Sequence, residues 1–251
     1  MNSQKAKGAK SSQKKSSKSE KAAGKSKLKK VSVATSRNEK TGAPEVSGSA
    51  YSGDGRVRVR HREYVADVVG SALYASTDYQ INPGNPALFP WLSQMAMRYE
   101  SYVFKKLIFE YETQVSSATS GSVMLAVDFD AADDPPDTKQ QLMAYHNAVR
   151  SAAWSECIYS CSEQDLRKFG VQRYVSNGSY NGDIKTYNVG QLFVATQNCP
   201  ASAVGELYVS YDIELMTPQM ESFSDSIPSA HIVTTAVARA TPFTGVQTVT
   251  G

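Results

Sequence analysis

The chain has 251 residues, 27 Lys+Arg against 24 Asp+Glu, a formal net charge of +3, and 41% hydrophobic and 20% charged residues. That composition is close to the globular average and excludes a wholly disordered protein. No apolar run reaches the roughly 20 residues of a membrane-spanning helix, and Met1-Asn2-Ser3-Gln4-Lys5 lacks the apolar core of a secretory signal. Synthesis and folding in a cytosol, with no membrane partner, are therefore expected.

The charge is divided along the chain. Residues 1–30 carry Lys5, Lys7, Lys10, Lys14, Lys15, Lys18, Lys21, Lys25, Lys27, Lys29 and Lys30 against the single acid Glu20, a net +10. From Val31 onward 16 basic and 23 acidic residues leave a net −7. With Leu28 as its one larger aliphatic, the 1–30 segment has nothing to bury and reads as a disordered basic arm. Such a polycation neutralises phosphates and releases counter-ions without fixed geometry; a solubilising tail or an import signal is the competing reading. Residues 31–55, with Gly42, Pro44, Gly48, Gly53 and Gly55, read as a linker able to order conditionally.

The folded body is expected to begin near Arg56. As a strand, Arg56-Val57-Arg58-Val59-Arg60-His61-Arg62 places Arg56, Arg58, Arg60 and Arg62 on one face at intervals of roughly 6.6 Å. That face suits a phosphate backbone, or equally an exposed strand matched by acids of a neighbouring chain. Glu63–Val69 and Ala72–Ile81 follow as strand candidates. Leu88–Tyr102, opened by Pro90 with Leu92, Met95, Ala96 and Tyr99 at helical spacing, predicts a short helix. Period-two alternation returns over Leu107–Tyr111 and Val123–Phe129.

Next comes an acidic run from Asp128 to Asp137, five carboxylates in ten residues with no cation among them. Asp128 and Asp130 lie on the polar side of a strand end, and a turn brings Asp133 and Asp134 near them. Such crowding is unfavourable without compensation. Hard oxygens in a turn suit Ca²⁺, although Ala132 and Asp133 stand where an EF-hand needs an oxygen ligand and Gly; a solvated acidic loop is the alternative. With only local ligands, a bound ion needs a second chain to complete its shell.

After Pro135-Pro136, with Asp137 or Thr138 as N-cap, the stripe Leu142, Tyr145, Val149 predicts a second helix. Ala153–Tyr159, Val171–Val175, Ile184–Tyr187 and Leu192–Thr196 are further strand candidates. Leu207, Val209, Tyr211, Ile213 and Leu215 then alternate with Glu206, Ser210, Asp212 and Glu214 as a half-buried antiparallel strand. Beyond Pro218 the pattern fades into a polar tail, residues 219–251, short for another ordinary domain. Many short strands between turn signals predict an all-β sandwich or barrel with short helices in its connections.

Catalytic signatures are weak. Gly24-Lys25-Ser26 lacks the first glycine of a phosphate loop, no nucleophile elbow or His-Glu-x-x-His occurs, and paired Asp residues alone do not define a glycosidase. Cys157, Cys161 and Cys199 read as free thiols. On one strand, Cys157 and Cys161 would stand about 13 Å apart, too far for a disulfide.

The residues His61-Arg62-Glu63-Tyr64, Ile81-Asn82-Pro83-Gly84, Phe89-Pro90-Trp91-Leu92, Tyr102-x-Phe104-Lys105-x-Leu107-x-Phe109-x-Tyr111, Gly121-x-Val123-x-Leu125-Ala126-x-Asp128-Phe129-Asp130, Ala153-Trp154 and Gly205-x-Leu207-Tyr208-Val209-x-Tyr211 follow one another in an order that resembles the coat proteins of small icosahedral positive-strand RNA plant viruses, the tombusvirus, necrovirus and sobemovirus group. The resemblance spans roughly Arg56 to Pro218. It implies an eight-stranded antiparallel jelly-roll shell domain over residues 56–218, copies assembled into an icosahedral T=3 virion in the host cytoplasm, an interior arm on single-stranded viral RNA, and a linker ordered in only some copies. It also implies Ca²⁺ at subunit contacts, with Asp128, Asp130 and Asp133 matching the family's Asp-x-Asp-x-x-Asp stretch and Asn181 and Asp183 as partner ligands. No small-molecule substrate and no catalysis are implied, and with a polar 219–251 tail no full projecting domain of the kind tombusviruses carry after the shell is expected. A cellular calcium-binding β-sandwich module, tethered to nucleic acid by its basic tail, is the alternative that residue patterns alone leave open.

Overall fold

A computed structural model describes residues 42–48 and 55–219. Two antiparallel sheets face each other. One joins β1 (Glu45–Gly48), β2 (Val57–Val69), β10 (Ala203–Pro218), β4 (Tyr99–Thr113) and β7 (Cys157–Ser160) in that spatial order, with β8 (Arg173–Tyr174) pairing farther along β4. The other runs β3 (Ala75–Gln80), β9 (Gln191–Gln197), β5 (Ser122–Asp128), β6 (Val149–Ala152). Removing β1 and β8 leaves two four-stranded sheets in jelly-roll order, as the resemblance implied.

Periodicity explains the central strands. On β10 the residues Leu207, Val209, Tyr211, Ile213 and Leu215 are all buried while Glu206, Ser210, Asp212 and Glu214 are half-buried, so one face meets the core and the other carries charge. Between β2 and β10 the register slips at Leu207/Tyr208, a bulge that lets Val65 and Val68, three positions apart, both turn inward. The second sheet is buried on both faces over β5 and β9. Val123, Leu125 and Val127 join the inter-sheet core. Met124 and Ala126, with Phe193 and Ala195 of β9, pack outward under Leu142. Aromatic rings fill one end of the sandwich, with Phe89 5.7 Å from both Phe104 and Tyr211. Truncating any one of these rings is expected to cost about 3–5 kcal/mol.

Four local expectations need correction. The helix expected over Leu88–Tyr102 is α1 (Leu92–Ala96), five residues long; from Tyr99 the chain is strand, because β10 pairs with it from Tyr99 onward and ladder bonds outweigh helical spacing. The second helix is α2 (Lys139–Leu142), set by a capping box in which Thr138 Oγ1 accepts from Gln141 N and the Gln141 side chain accepts from Thr138 N; Tyr145 and Val149 lie beyond it. Of Ala153–Tyr159 only Cys157–Tyr159 is strand, within β7; residues 153–156 are the corner between sheets. The Ala153 carbonyl accepts Tyr111 OH at 2.6 Å and Thr113 Oγ1 at 2.8 Å, while β6 before it and β7 after it belong to different sheets. Ile184–Tyr187 is not a strand but a 3-10 helix, Ile184–Thr186, because Asp183 Oδ1 accepts Lys185 N at 2.9 Å and Thr186 Oγ1 donates to Asp183 O at 2.7 Å, local bonds that compete with a ladder. A third short helix, α3 (Glu163–Leu166), starts at the N-cap Ser162.

Candidate functional site

The acidic turn grows out of the end of β5. Gly190 makes it possible: a Cβ there would lie 2.1 Å from the Asp128 carbonyl oxygen and 2.9 Å from the Phe129 Cα, so only glycine lets β9 begin against this corner. Phe129 and Ala131 point inward and are buried, which turns the alternate residues Asp128 and Asp130 outward. Asp128 Oδ1 accepts the Asp130 N–H at 2.9 Å, and Asp130 Oδ1 accepts the Ala132 N–H at 3.1 Å. From inside, the buried Gln191 amide donates to the carbonyls of Ala131 and Asp133 at 3.0 and 2.9 Å.

A cation from a distant segment completes the corner. Lys185 Nζ donates to Asp130 Oδ2 at 2.7 Å. The ammonium holds the Asp130 carboxyl below its ordinary range, and Asp130 in turn raises Lys185. Asp128 moves the other way: burial raises it, and the charges of Asp133 and Asp130 add to the rise. Of the expected partner ligands, Asp183 N-caps the 3-10 helix and Asn181 accepts Tyr187 OH through its backbone oxygen. Among the described residues no three His, Cys, Asp or Glu side chains converge as a metal site requires. The donor chemistry suits a hard cation, but one chain does not furnish a closed shell of six to eight oxygens.

The second candidate is the arginine strand. Arg58, Arg60 and Arg62 do share the outer face of β2, and there they meet carboxylates of their own sheet. Arg58 clamps Asp212 through two bonds of 2.6 and 2.7 Å, and Arg60 adds a third at 2.9 Å. Arg62 reaches across β10 to Glu110 and Glu112 at 2.7 and 3.2 Å and lies 3.9 Å over the Tyr208 ring. Such forked pairs hold Asp212 below its ordinary pKa, Arg58 foremost. Arg56 precedes β2 and is exposed. An open groove of about 450 Å³ lies over this face, lined by Arg60, His61, Arg62 and Lys106 together with Glu45 and Asp212. The eleven arm lysines, Lys5 to Lys30, lie outside the described residues.

Three positioning residues escaped the sequence reading. Asn82, 1% exposed, uses Nδ2 to hold the oxygens of Tyr174, Tyr187 and Asn188 and Oδ1 to hold the N–H groups of Gly84 and Ser176. Buried Glu63 of β2 accepts the Trp91 and Leu92 N–H groups at 2.7 and 3.4 Å, capping α1 from another element. Arg173, 3% exposed, donates through Nη1 to the Lys185 carbonyl. Apart from the Gly84 N–H in Asn82's own turn, their partners lie 12 to 106 residues away in sequence.

A family model described as viral coat protein (S domain) matches residues 29–221. The capsid protein of cucumber necrosis virus is 32% identical over 176 residues, 67% of this chain and 45% of its own. That of tomato bushy stunt virus (strain Cherry) is 28% identical over 194 residues, 74% and 48% of the two chains. The chain thus spans just under half the length of these curated relatives. Among solved structures, melon necrotic spot virus matches with a TM-score of 0.65 at 31% identity, over 80% of this chain and 60% of that one. Tobacco necrosis virus, 17% identical with a TM-score of 0.62 over 75% and 91%, shares the fold. With the jelly-roll order of its sheets and a match running from residue 29 to 221, the chain belongs to the viral coat proteins, a family of capsid proteins and not of enzymes, and its two facing sheets are the S domain.

Proposed function

We propose that copies of this chain assemble through their S domains into an icosahedral T=3 virion shell, and that the lysine arm packages single-stranded genomic RNA. The observation that carries the RNA assignment is the distribution of charge. On the S domain, Arg58, Arg60 and Arg62 are matched by Asp212, Glu110 and Glu112, whereas Lys5 to Lys30 face one acid in their own segment. Phosphate attraction is therefore concentrated in the arm, with the groove beside Arg60, Arg62 and Lys106 as a secondary contact that competes with carboxylates. Calcium between copies, held by Asp128, Asp130 and Asp133 of one with Asn181 and Asp183 of another, is the finer form of this reading. Their oxygens are of the right type, and a second copy has to complete the set.

Sedimentation of the recombinant protein, followed at 260 and 280 nm, tests the proposal. Fast, uniform particles with nucleic-acid absorbance are expected, and a chain lacking residues 1–30 should lose the 260 nm excess. If all eleven lysines engage phosphates, the slope of log K against log salt on single-stranded RNA should be about −8. A slow species free of nucleic acid under every ionic condition would overturn the reading.

A further inference from the structure

We infer that Lys185 is the built-in counter-ion of the acidic turn, a tethered ammonium that neutralises Asp130 from within the chain, so that cohesion at this corner does not depend on a divalent ion. The inference rests on the shell reading above. Its basis is how firmly the lysine is placed. Its N–H is fixed by Asp183 Oδ1 at 2.9 Å, its carbonyl accepts from buried Arg173, and its Nζ lies 2.7 Å from Asp130 Oδ2. The same ammonium stands 5.7 Å from the Phe169 ring, which Lys168 approaches at 5.3 Å, a cation–π contact that favours a charged group here.

The turn's own oxygens point the same way. A calcium shell draws on six to eight oxygens. In this corner Asp128 Oδ1, Asp130 Oδ1 and the carbonyls of Ala131 and Asp133 each accept an N–H of the chain, and Asp130 Oδ2 accepts Lys185. The sequence run from Asp128 to Asp137 contains no cation; the 3-10 helix brings one in from 55 residues away. A divalent ion seeking Asp130 has to displace a charge that is covalently part of the chain.

Shells assembled from wild type, Lys185→Met and Lys185→Arg, sedimented near neutral pH in calcium and in chelator, test this. Wild-type and Lys185→Arg shells should stay compact in both, and Lys185→Met shells should lose their compact form in chelator. Recovery of Lys185→Met on adding calcium supports the calcium reading as well; loosening of Lys185→Met in both buffers supports the lysine while removing calcium. Wild-type shells that loosen in chelator as much as Lys185→Met, or Lys185→Met shells compact in both, overturn the inference. Failure of all three to assemble sinks the shell reading and this inference with it.

Discussion

Replacing Asn82 with Ala removes five hydrogen bonds from a site that is 1% exposed. The loss is unequal among the partners. The Tyr187 carbonyl keeps Tyr102 OH at 2.6 Å, whereas Asn188 Oδ1 loses its Asn82 donor although its Nδ2 still donates to Gln80 and Tyr180. Gly84 N, Ser176 N and the Tyr174 carbonyl lose the Asn82 partner outright. An unsatisfied buried group costs about 1–3 kcal/mol; with some water entering the space, about 4 kcal/mol is expected. That is a large part of the ~5–15 kcal/mol holding an ordinary domain together. At ~2–4 °C per kcal/mol for a domain of this size, Tm should fall by about 8–16 °C in calorimetry of the soluble chain. Asn82→Asp retains the acceptor but replaces the amide donor facing three oxygens with a fourth oxygen, so it should do no better. A fall below ~4 °C for Asn82→Ala would refute the reasoning, since it would mean that these groups exchange protein for water at little cost.

Tyr111→Phe should be mild despite complete burial, at about 1 kcal/mol or ~2–4 °C in Tm, because Ala153 O also accepts Thr113 Oγ1 and Val204 O also accepts Gln114 N. Gly190→Ala should cost about 3 kcal/mol or more and show as a lowered urea midpoint, since the new methyl meets backbone rather than a movable side chain. Arg58 lowers Asp212 below its ordinary 3.8; the stability from this shift is fully present above that value and fades as pH falls through the depressed one. Urea midpoints of Asp212→Asn should therefore vary less than wild type across the acid limb, and parallel curves would refute the assignment. Burial pushes the Cys157 thiol up to about 11 and Cys161 higher still, so about one Cys157 in a thousand is thiolate at pH 8. Native protein should react slowly with a thiol reagent and release all three thiols on unfolding.

Strands with one wet face were legible because the alternation is written directly into residues such as Leu207 to Leu215. Ser122–Asp128 was legible as a strand from alternation, but burial of both its faces was not, since nothing in it told which side α2 would cover. Two of the errors fell where contacts between distant segments decide. Tyr99 at helical spacing belongs to β4 because Pro218 lies opposite, and Ala153 turns because Tyr111 and Thr113 pull its carbonyl inward. The intrachain partners at the candidate sites were unreadable for the same reason. Charges in sequence order gave a cation-free acidic run and an arginine face open to phosphates or to acids of a neighbouring chain, while the folded chain sets Lys185 against Asp130 and Asp212 against Arg58 and Arg60. Pairing across a sheet depends on register, which a list of residues does not contain.

The middle strand of the larger sheet, β10, is also the last strand made among the described residues. Until Ala203–Pro218 leaves the ribosome, β2 and β4 cannot join, because β10 lies between them along nearly its whole length. At ~5–20 residues per second of synthesis, β4 waits on the order of ten seconds for its partner, with two ladder edges open to stray pairing. Lys5 to Lys30 are synthesised before any of this. A nascent chain therefore offers phosphates its cationic end while its central sheet is still in two halves, and crowding of such chains on one message favours tangled sheets over finished subunits.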